Sequence, residues 1–371
     1  MLETFNPTPR ILMGPGPSNV SPRVLGALAK PTIGHLDPQF IKLMDEIKQL
    51  LQYAFVTKNE FTIALSAPGS AGMEACIVNL IEPNDKVIVC VNGVFGGRLK
   101  ENIERVGAQA IVIEDTWGDP VSVGKVEHAF AMHKNVKALV FVHAETSTGA
   151  CSDAKTLCNI AKQNDAITIV DAVTSLGGSE LKVDEWGIDA VYSGSQKCLS
   201  CVPGLSPVSF SPKAVEILKS RKTKVPSWFL DQSLVMGYWS GEGKRSYHHT
   251  APINSLYALH ESLLMLKNEG LEQAWSRHAQ LHQRLKSGLA ELGIRFLVND
   301  AHQLPQLNSI LIPEGVDDAQ VRTHLLNKFN LEIGAGLGQL AGKTWRVGLM
   351  GATANEQNVA LLLTALKEVL V

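Results

Sequence analysis

Ile188-Asp189-Ala190-Val191-Tyr192-Ser193-Gly194-Ser195-Gln196-Lys197 is the stretch on which the reading of this chain turns. An apolar run of strand length, 188–192, ends in a small polar loop that carries a lysine. A lysine amine normally has a pKa near 10.4, so a nucleophilic role at neutral pH needs a site that lowers it. Such an amine can form a Schiff base, and binding an aldehyde cofactor is one use of it. An ordinary surface lysine at a strand end has the same local sequence, so the surrounding chain must decide.

Working outward, short apolar runs at 86–91, 110–114, 138–143, 166–171, 188–192 and 207–210 alternate with amphipathic segments. Strands apolar on both faces and separated by helices predict a mainly parallel sheet covered on each side, an α/β domain. The segments 126–134 and 153–164 have helical spacing, and Asp153 suits the cap of the second. Prolines, glycines and tryptophans in 203–226 and 228–243 predict a long surface excursion, a frequent place for function. A long helix is expected over 256–292. Beyond Gly293, strand-like 308–312, 332–333 and 344–348 and helix-like 317–329 and 355–370 predict a smaller α+β domain.

The chain has 371 residues, enough for about two domains, with 45% hydrophobic and 19% charged residues. Lys plus Arg at 34 against Asp plus Glu at 36 gives a net charge of −2, so no global basic field draws nucleic acid or an anionic membrane. Small molecules are the expected partners, and no apolar run approaches a membrane span. The first ten residues do not read as a secretory leader, nor the last five as a peroxisomal address. Six scattered cysteines, with Cys198 and Cys201 lacking the mates of a zinc site, read as reduced thiols of a cytoplasmic protein.

In open parallel sheets ligands bind beyond the carboxyl ends of the strands. Asp171 ends one run, where its carboxylate can bond a protonated ring nitrogen or cap the next turn. His143-Ala144-Glu145-Thr146-Ser147-Thr148-Gly149 ends another: Thr146 can reach a ligand, while His143 reads as locally packed. Pro68-Gly69-Ser70-Ala71-Gly72-Met73 looks like a loop opening a helix whose first amides can hold a phosphate or form a bland turn. Phe95, between Gly93 and Gly96, can stack on a flat ligand or fill a core. Tyr247-His248-His249-Thr250 offers two hydroxyls beside imidazoles unsuited to share a metal. Arg346, in Trp345-Arg346-Val347-Gly348, needs an anion, either a structural carboxylate or a substrate's.

Taken together, from Met13-Gly14-Pro15-Gly16-Pro17-Ser18-Asn19 to Arg346-Val347-Gly348, the chain resembles the class V, fold-type I pyridoxal-phosphate aminotransferases, most closely the alanine:glyoxylate and serine:pyruvate group. The resemblance implies a large domain with a mainly parallel seven-stranded sheet and a smaller C-terminal α+β domain, divided as arm 1–20, large domain 21–255, and interdomain helix with small domain 256–371. It implies pyridoxal 5'-phosphate held by Lys197, with Asp171 on the pyridine nitrogen and Phe95 stacked on the ring. Gly69, Ser70 and Gln196 would surround the phosphate, and Thr146 would lie near the ring edge. Tyr247 and Thr250 would reach the phosphate of a partner subunit, making a homodimer with shared active sites. Arg346 would grip the substrate carboxylate, with Pro15 and Gly16 lining the substrate pocket. Pro68 stands where a close relative has serine, leaving the amides of Gly69 and Ser70 to compensate.

The expected activity is ping-pong transfer of the amino group of alanine or serine to glyoxylate or pyruvate. Alternatives are an (S)-ureidoglycine:glyoxylate or 2-aminoethylphosphonate aminotransferase, or a noncatalytic amino-acid sensor. Ureidoglycine enzymes place amide side chains at the positions of His35 and Tyr247, so that donor is disfavoured here. The absence of any cysteine after Cys201 argues against desulfuration.

Overall fold

The apolar runs become the spine of a seven-stranded sheet in the computed structural model, which describes residues 2–239 and 245–370. Its strands are β1 (Phe61–Leu65), β2 (Lys86–Val91), β3 (Gln109–Glu114), β4 (Val136–Val142), β5 (Ile167–Asp171), β6 (Ala190–Tyr192) and β7 (Ser206–Phe210). The order across the sheet is β1-β7-β6-β5-β4-β2-β3. Only β7 runs against its neighbours. Burial on both faces of β5, β6 and β7 explains why they read as continuous apolar runs. The sequence reading lacked β1, which pairs along its whole length with β7.

Helix Ala154–Gln163 starts as expected, with the Asp153 side chain accepting from the Thr156 N–H at 3.0 Å. The single helix expected over 256–292 is two helices, Ile253–Glu269 and Leu271–Glu291. Gly270, at φ +90°, breaks them in a conformation that side chains with a Cβ rarely adopt. The expected excursion also holds structure: besides β7 it carries helices Pro212–Lys219 and Gln232–Trp239. Residues 240–243, its predicted end, lie outside the described residues.

Among the described residues two large apolar cores form, with a third, small cluster of Ala144, Cys198, Leu304, Leu307 and Met350. The larger wraps the central sheet and takes in helix Pro38–Phe55 and helix Ile253–Glu269. The smaller lies in the tail around the buried Trp345 and strands Leu307–Leu311, Gly334–Ala335 and Thr344–Gly348. Helix Leu271–Glu291 serves both, with Leu271 and Ala274 in the first and Leu281, Leu285 and Leu289 in the second. The N-terminal arm joins the tail: Ile11–Leu12 pairs in parallel with Leu331–Glu332, and the Gly348 N–H donates to the Met13 carbonyl at 2.7 Å. A Cβ on Gly348 would fall 2.0 Å from the Gly14 oxygen, so this close passage requires glycine.

Chain direction across the sheet reverses at β2, which lies between β3 and β4. The crevice at such a switch lies beyond the strands' carboxyl ends, where the segments after β2, β4, β5 and β6 converge. No described helix is long and apolar enough to cross a membrane.

Candidate active site

Lys197 is placed by a loop with little freedom. After β6, the Ser193 hydroxyl donates to the Ala172 carbonyl at 2.9 Å and the Ser195 hydroxyl to the Val202 carbonyl at 2.7 Å. The Lys197 ammonium donates to the Pro15 carbonyl. Burial lowers its pKa to about 8, and the nearby Arg346 charge acts in the same direction, while Cys198 and Asp171 oppose. Gly16 lies against this side chain at φ +105°, and a Cβ there would sit 2.3 Å from Nζ. Pro15 and Gly16 therefore abut the amine.

Asp171, at the end of β5, is 4% exposed. Its Oδ1 accepts from the Val173 N–H at 2.8 Å and its Oδ2 from the Tyr192 hydroxyl at 2.7 Å. The first bond is the turn-capping role considered from sequence, so the carboxylate serves its own turn as well as facing the site. Burial raises its pKa to about 6, against the lowering effect of those two bonds. It ionises below neutral pH.

A cavity of about 220 Å³ brings Lys197 and Asp171 together with Gly69, Ser70, Phe95 and Gln196. Gly69 and Ser70 open helix Gly69–Leu80, whose N-terminus has no side-chain cap. Gly72 keeps that helix close to β7, for a Cβ there would lie 2.1 Å from the Ser206 hydroxyl. The side-chain Oε1 of Gln196 is buried and unpartnered.

Arg346 is buried on strand Thr344–Gly348. Its Nε donates to the Ala335 carbonyl at 2.8 Å and its Nη1 to the Thr146 carbonyl at 3.3 Å. Among the described residues no carboxylate forms an ion pair with it. Burial lowers its pKa to about 10, opposed by Glu145. Of the two anions considered from sequence, the structural one is thus not in contact with it. Thr146 is buried, its Oγ1 sharing a 2.5 Å hydrogen bond with Thr174 Oγ1.

Tyr247 and Thr250 are not brought to this cavity. Tyr247 is 62% exposed, its ring 5.2 Å from that of His35, and Thr250 is also exposed. His143 is buried edge-on to Trp186, as a locally packed residue should be. All six cysteines are free.

Sequence reasoning missed three residues. Tyr192 supplies the hydroxyl to Asp171, and its place at the end of β6 was the available signal. Arg98 lines the cavity with its guanidinium 4.8 Å from the centre of the Phe95 ring. Its spacing of three from Phe95 on one helix could have found it. Glu145, fully buried, accepts hydrogen bonds from Ser147 and from the Phe95 and Gly96 amides. Nothing local in its sequence signalled that.

This arrangement has known counterparts. The aminotransferase class-V family model matches residues 18–358. The chain is 41% identical to the alanine–glyoxylate aminotransferase of Oryctolagus cuniculus, covering 97% of this chain and 92% of that one. It is 36% identical to the (S)-ureidoglycine–glyoxylate transaminase of Bacillus subtilis, covering 97% and 90%. The crystal structure of an alanine–glyoxylate aminotransferase from Nostoc sp. superposes with a TM-score of 0.97 at 45% identity, over 100% of this chain and 98% of that one. A partly buried lysine and a buried aspartate meeting in one cavity beyond the strand ends, in a chain so matched along its length, belong to a member of the class-V aminotransferases.

Proposed function

We propose that the protein is a pyridoxal 5'-phosphate-dependent aminotransferase that takes the amino group of a small L-amino acid, alanine or serine, and passes it to glyoxylate or pyruvate by a ping-pong mechanism. The observation that carries the proposal is the pairing of Lys197 and Asp171 across one cavity, near a buried Arg346 that pairs with no carboxylate among the described residues. The names of the rabbit and Nostoc relatives support alanine as the donor and glyoxylate as the acceptor.

The residues present fit the cofactor. An uncapped helix N-terminus at Gly69 and Ser70 suits a phosphate dianion. The amide of Gln196, its oxygen unpartnered, lies at the same cavity and can turn its NH2 toward that anion. Asp171, ionised at neutral pH, suits a protonated ring nitrogen, and Phe95 supplies a flat wall. When bound, pyridoxal 5'-phosphate supplies a sink for the electrons left when the substrate's Cα–H bond breaks.

The chain's residues do the rest. Lys197 Nζ, its pKa brought near neutrality by burial, takes the proton from the substrate Cα and holds it within the cavity. Tyr192 keeps Asp171 oriented and favours its charged form. Arg346 offers its remaining N–H groups to the substrate carboxylate, fixing which Cα bond faces the amine. Pro15 and Gly16, which abut the amine, would close the substrate side, and Thr146 would border the ring edge.

Tyr247 and Thr250 belong to this reading through a second copy of the chain, where they would meet the partner's cofactor phosphate in a homodimer. Tyr247 and Trp228, 62% and 64% exposed, end one run of ring contacts through His35, Tyr238, His249 and His248, which supports a covered face there. The division into arm 1–20, large domain 21–255 and interdomain helix with small domain 256–371 draws on the presence of a core in each part, with helix Leu271–Glu291 bridging them, while helix Ile253–Glu269 packs with the large domain. A cytoplasmic location fits the free, buried thiols.

The 36% identity to a ureidoglycine enzyme keeps that donor in the test. The visible spectrum of the loaded protein is followed in single turnovers with L-alanine, L-serine or (S)-ureidoglycine, and glyoxylate is then added. Conversion by alanine or serine and restoration by glyoxylate are expected. Conversion by ureidoglycine alone moves the function to that donor, and no conversion by any donor leaves 2-aminoethylphosphonate transamination or a sensor.

A further inference from the structure

Helix Val94–Arg105 begins without a cap of its own. Its N-cap residue is Gly93, which has no side chain to offer to the first amides. Those amides are bonded from across the sheet instead. The Val94 N–H donates to the Ser147 hydroxyl at 2.9 Å, the Phe95 N–H to Glu145 Oε1 at 3.4 Å, and the Gly96 N–H to Glu145 Oε2 at 3.2 Å. Ser147 adds its own N–H at 3.1 Å and its hydroxyl at 2.6 Å to Glu145 Oε1.

Apart from the Val94 N–H, every one of these groups donates to the Glu145 carboxyl, a pattern that an ionised acid satisfies. Burial pushes the pKa of Glu145 up, and the four donors pull against it. The glycine is part of the device: a Cβ on Gly93 would lie 2.4 Å from Glu145 Cδ and 2.5 Å from the Ser147 hydroxyl. An absent side chain at the helix start makes room for a carboxylate supplied fifty-two positions later.

We propose that Glu145 is a positioning residue for the cofactor site, acting through Phe95. Its carboxylate fixes the first turn of helix Val94–Arg105, and so holds the Phe95 ring as a wall of the cavity that contains Lys197 and Asp171. The inference rests on the reading of Phe95 as the residue that stacks on pyridoxal 5'-phosphate.

The test is a double-mutant cycle on the full-length chain, with the dissociation constant of pyridoxal 5'-phosphate measured by quenching of tryptophan fluorescence. Glu145→Gln preserves shape but turns an NH2 toward a backbone N–H, and it is expected to weaken binding about tenfold, on the order of one charge-assisted hydrogen bond. Phe95→Leu is expected to weaken it to a similar degree through lost stacking. If Glu145 acts through Phe95, the double variant binds no worse than the weaker single. Losses that multiply overturn the proposal, as does wild-type binding by Glu145→Gln or a lowered Tm without coupling in the binding constants. If Glu145→Gln does not fold, Ser147→Ala, which removes one donor from the carboxylate, takes its place in the same cycle under the same outcomes. Wild-type binding by Phe95→Leu alone overturns the stacking reading itself, a result distinguishable from failure of the Glu145 step.

Discussion

The cavity around Lys197 and the surface formed by Trp228, Tyr247 and their neighbours are both rich in aromatic and titratable side chains, yet the chain treats them in opposite ways. In and around the cavity, Asp171, Glu145 and Arg346 are buried and Lys197 is partly so, and each has hydrogen-bond partners from segments far away in sequence. At the surface, Trp228 stacks on His248 at 4.5 Å between centroids and Tyr247 tilts against His35, but the outer rings remain open to solvent. The cavity is lined by residues of this chain, whereas the surface leaves large rings open to solvent, as a face suited to the proposed second copy would.

The largest test of that contrast removes the amine. Lys197→Ala is expected to lower alanine-to-glyoxylate turnover by at least about 10³-fold, within the range of a lost proton-transfer group, while the chain stays folded by circular dichroism. Near-normal transamination would remove Lys197 from the mechanism. Next comes Arg346→Lys, which swaps a planar fork for a point charge. It should raise KM for both carboxylate substrates by roughly 10- to 100-fold, with a smaller change in kcat. A change in kcat alone would mean that Arg346 does not hold the substrate.

A third test uses protons. The folded-state pKa of Lys197 is lowered from 10.5 to about 8, so between those values the unfolded chain binds more protons than the folded one. Stability of the cofactor-free protein should therefore rise from pH 8 toward 10.5, by up to about 1.4 kcal/mol per pH unit. Comparing urea unfolding of the wild type with Lys197→Met isolates this contribution, and equal slopes would contradict the burial of the amine. The smallest effect on the fold is expected at the open surface. Trp228→Asp should change the stability of the isolated chain by only about 0.5 kcal/mol, yet shift sedimentation of the proposed dimer toward monomer. An unchanged sedimentation profile with normal turnover would strip Tyr247 and Thr250 of a role across subunits.

The same contrast marks what the sequence could disclose. Strands buried on both faces, such as Ile167–Asp171, are visible as apolar runs, and the polar residues that follow them could be inspected one at a time. Lys197, Asp171 and Phe95 were legible in that way, Gly69 and Ser70 as a glycine loop opening a helix and Gln196 through the family resemblance, and all six meet in one cavity. Strand Phe61–Leu65 was not read, since it lies ahead of the alternating stretch and pairs only with the late Ser206–Phe210. Glu145 was illegible for a related reason. An acid in a hydroxyl-rich turn resembles a solvated one, and only the approach of a helix start from another segment makes it a buried cap. Gly270 was visible as a glycine, but its left-handed backbone, which divides a continuous apolar periodicity into two helices, was not.

The N-terminal arm has a mechanical meaning. Its Ile11–Leu12 is built into the tail, while at Ser18 the backbone N–H donates to the Gln196 carbonyl at 2.9 Å and the hydroxyl to the Lys197 carbonyl at 2.8 Å. Between these anchorages the Met13 carbonyl is held by the Gly348 N–H and the Pro15 carbonyl by the Lys197 ammonium, while Asn19 bonds both Leu12 and Thr353. The arm is thus a short buckle that fastens the strand bearing Arg346 to the loop bearing Lys197.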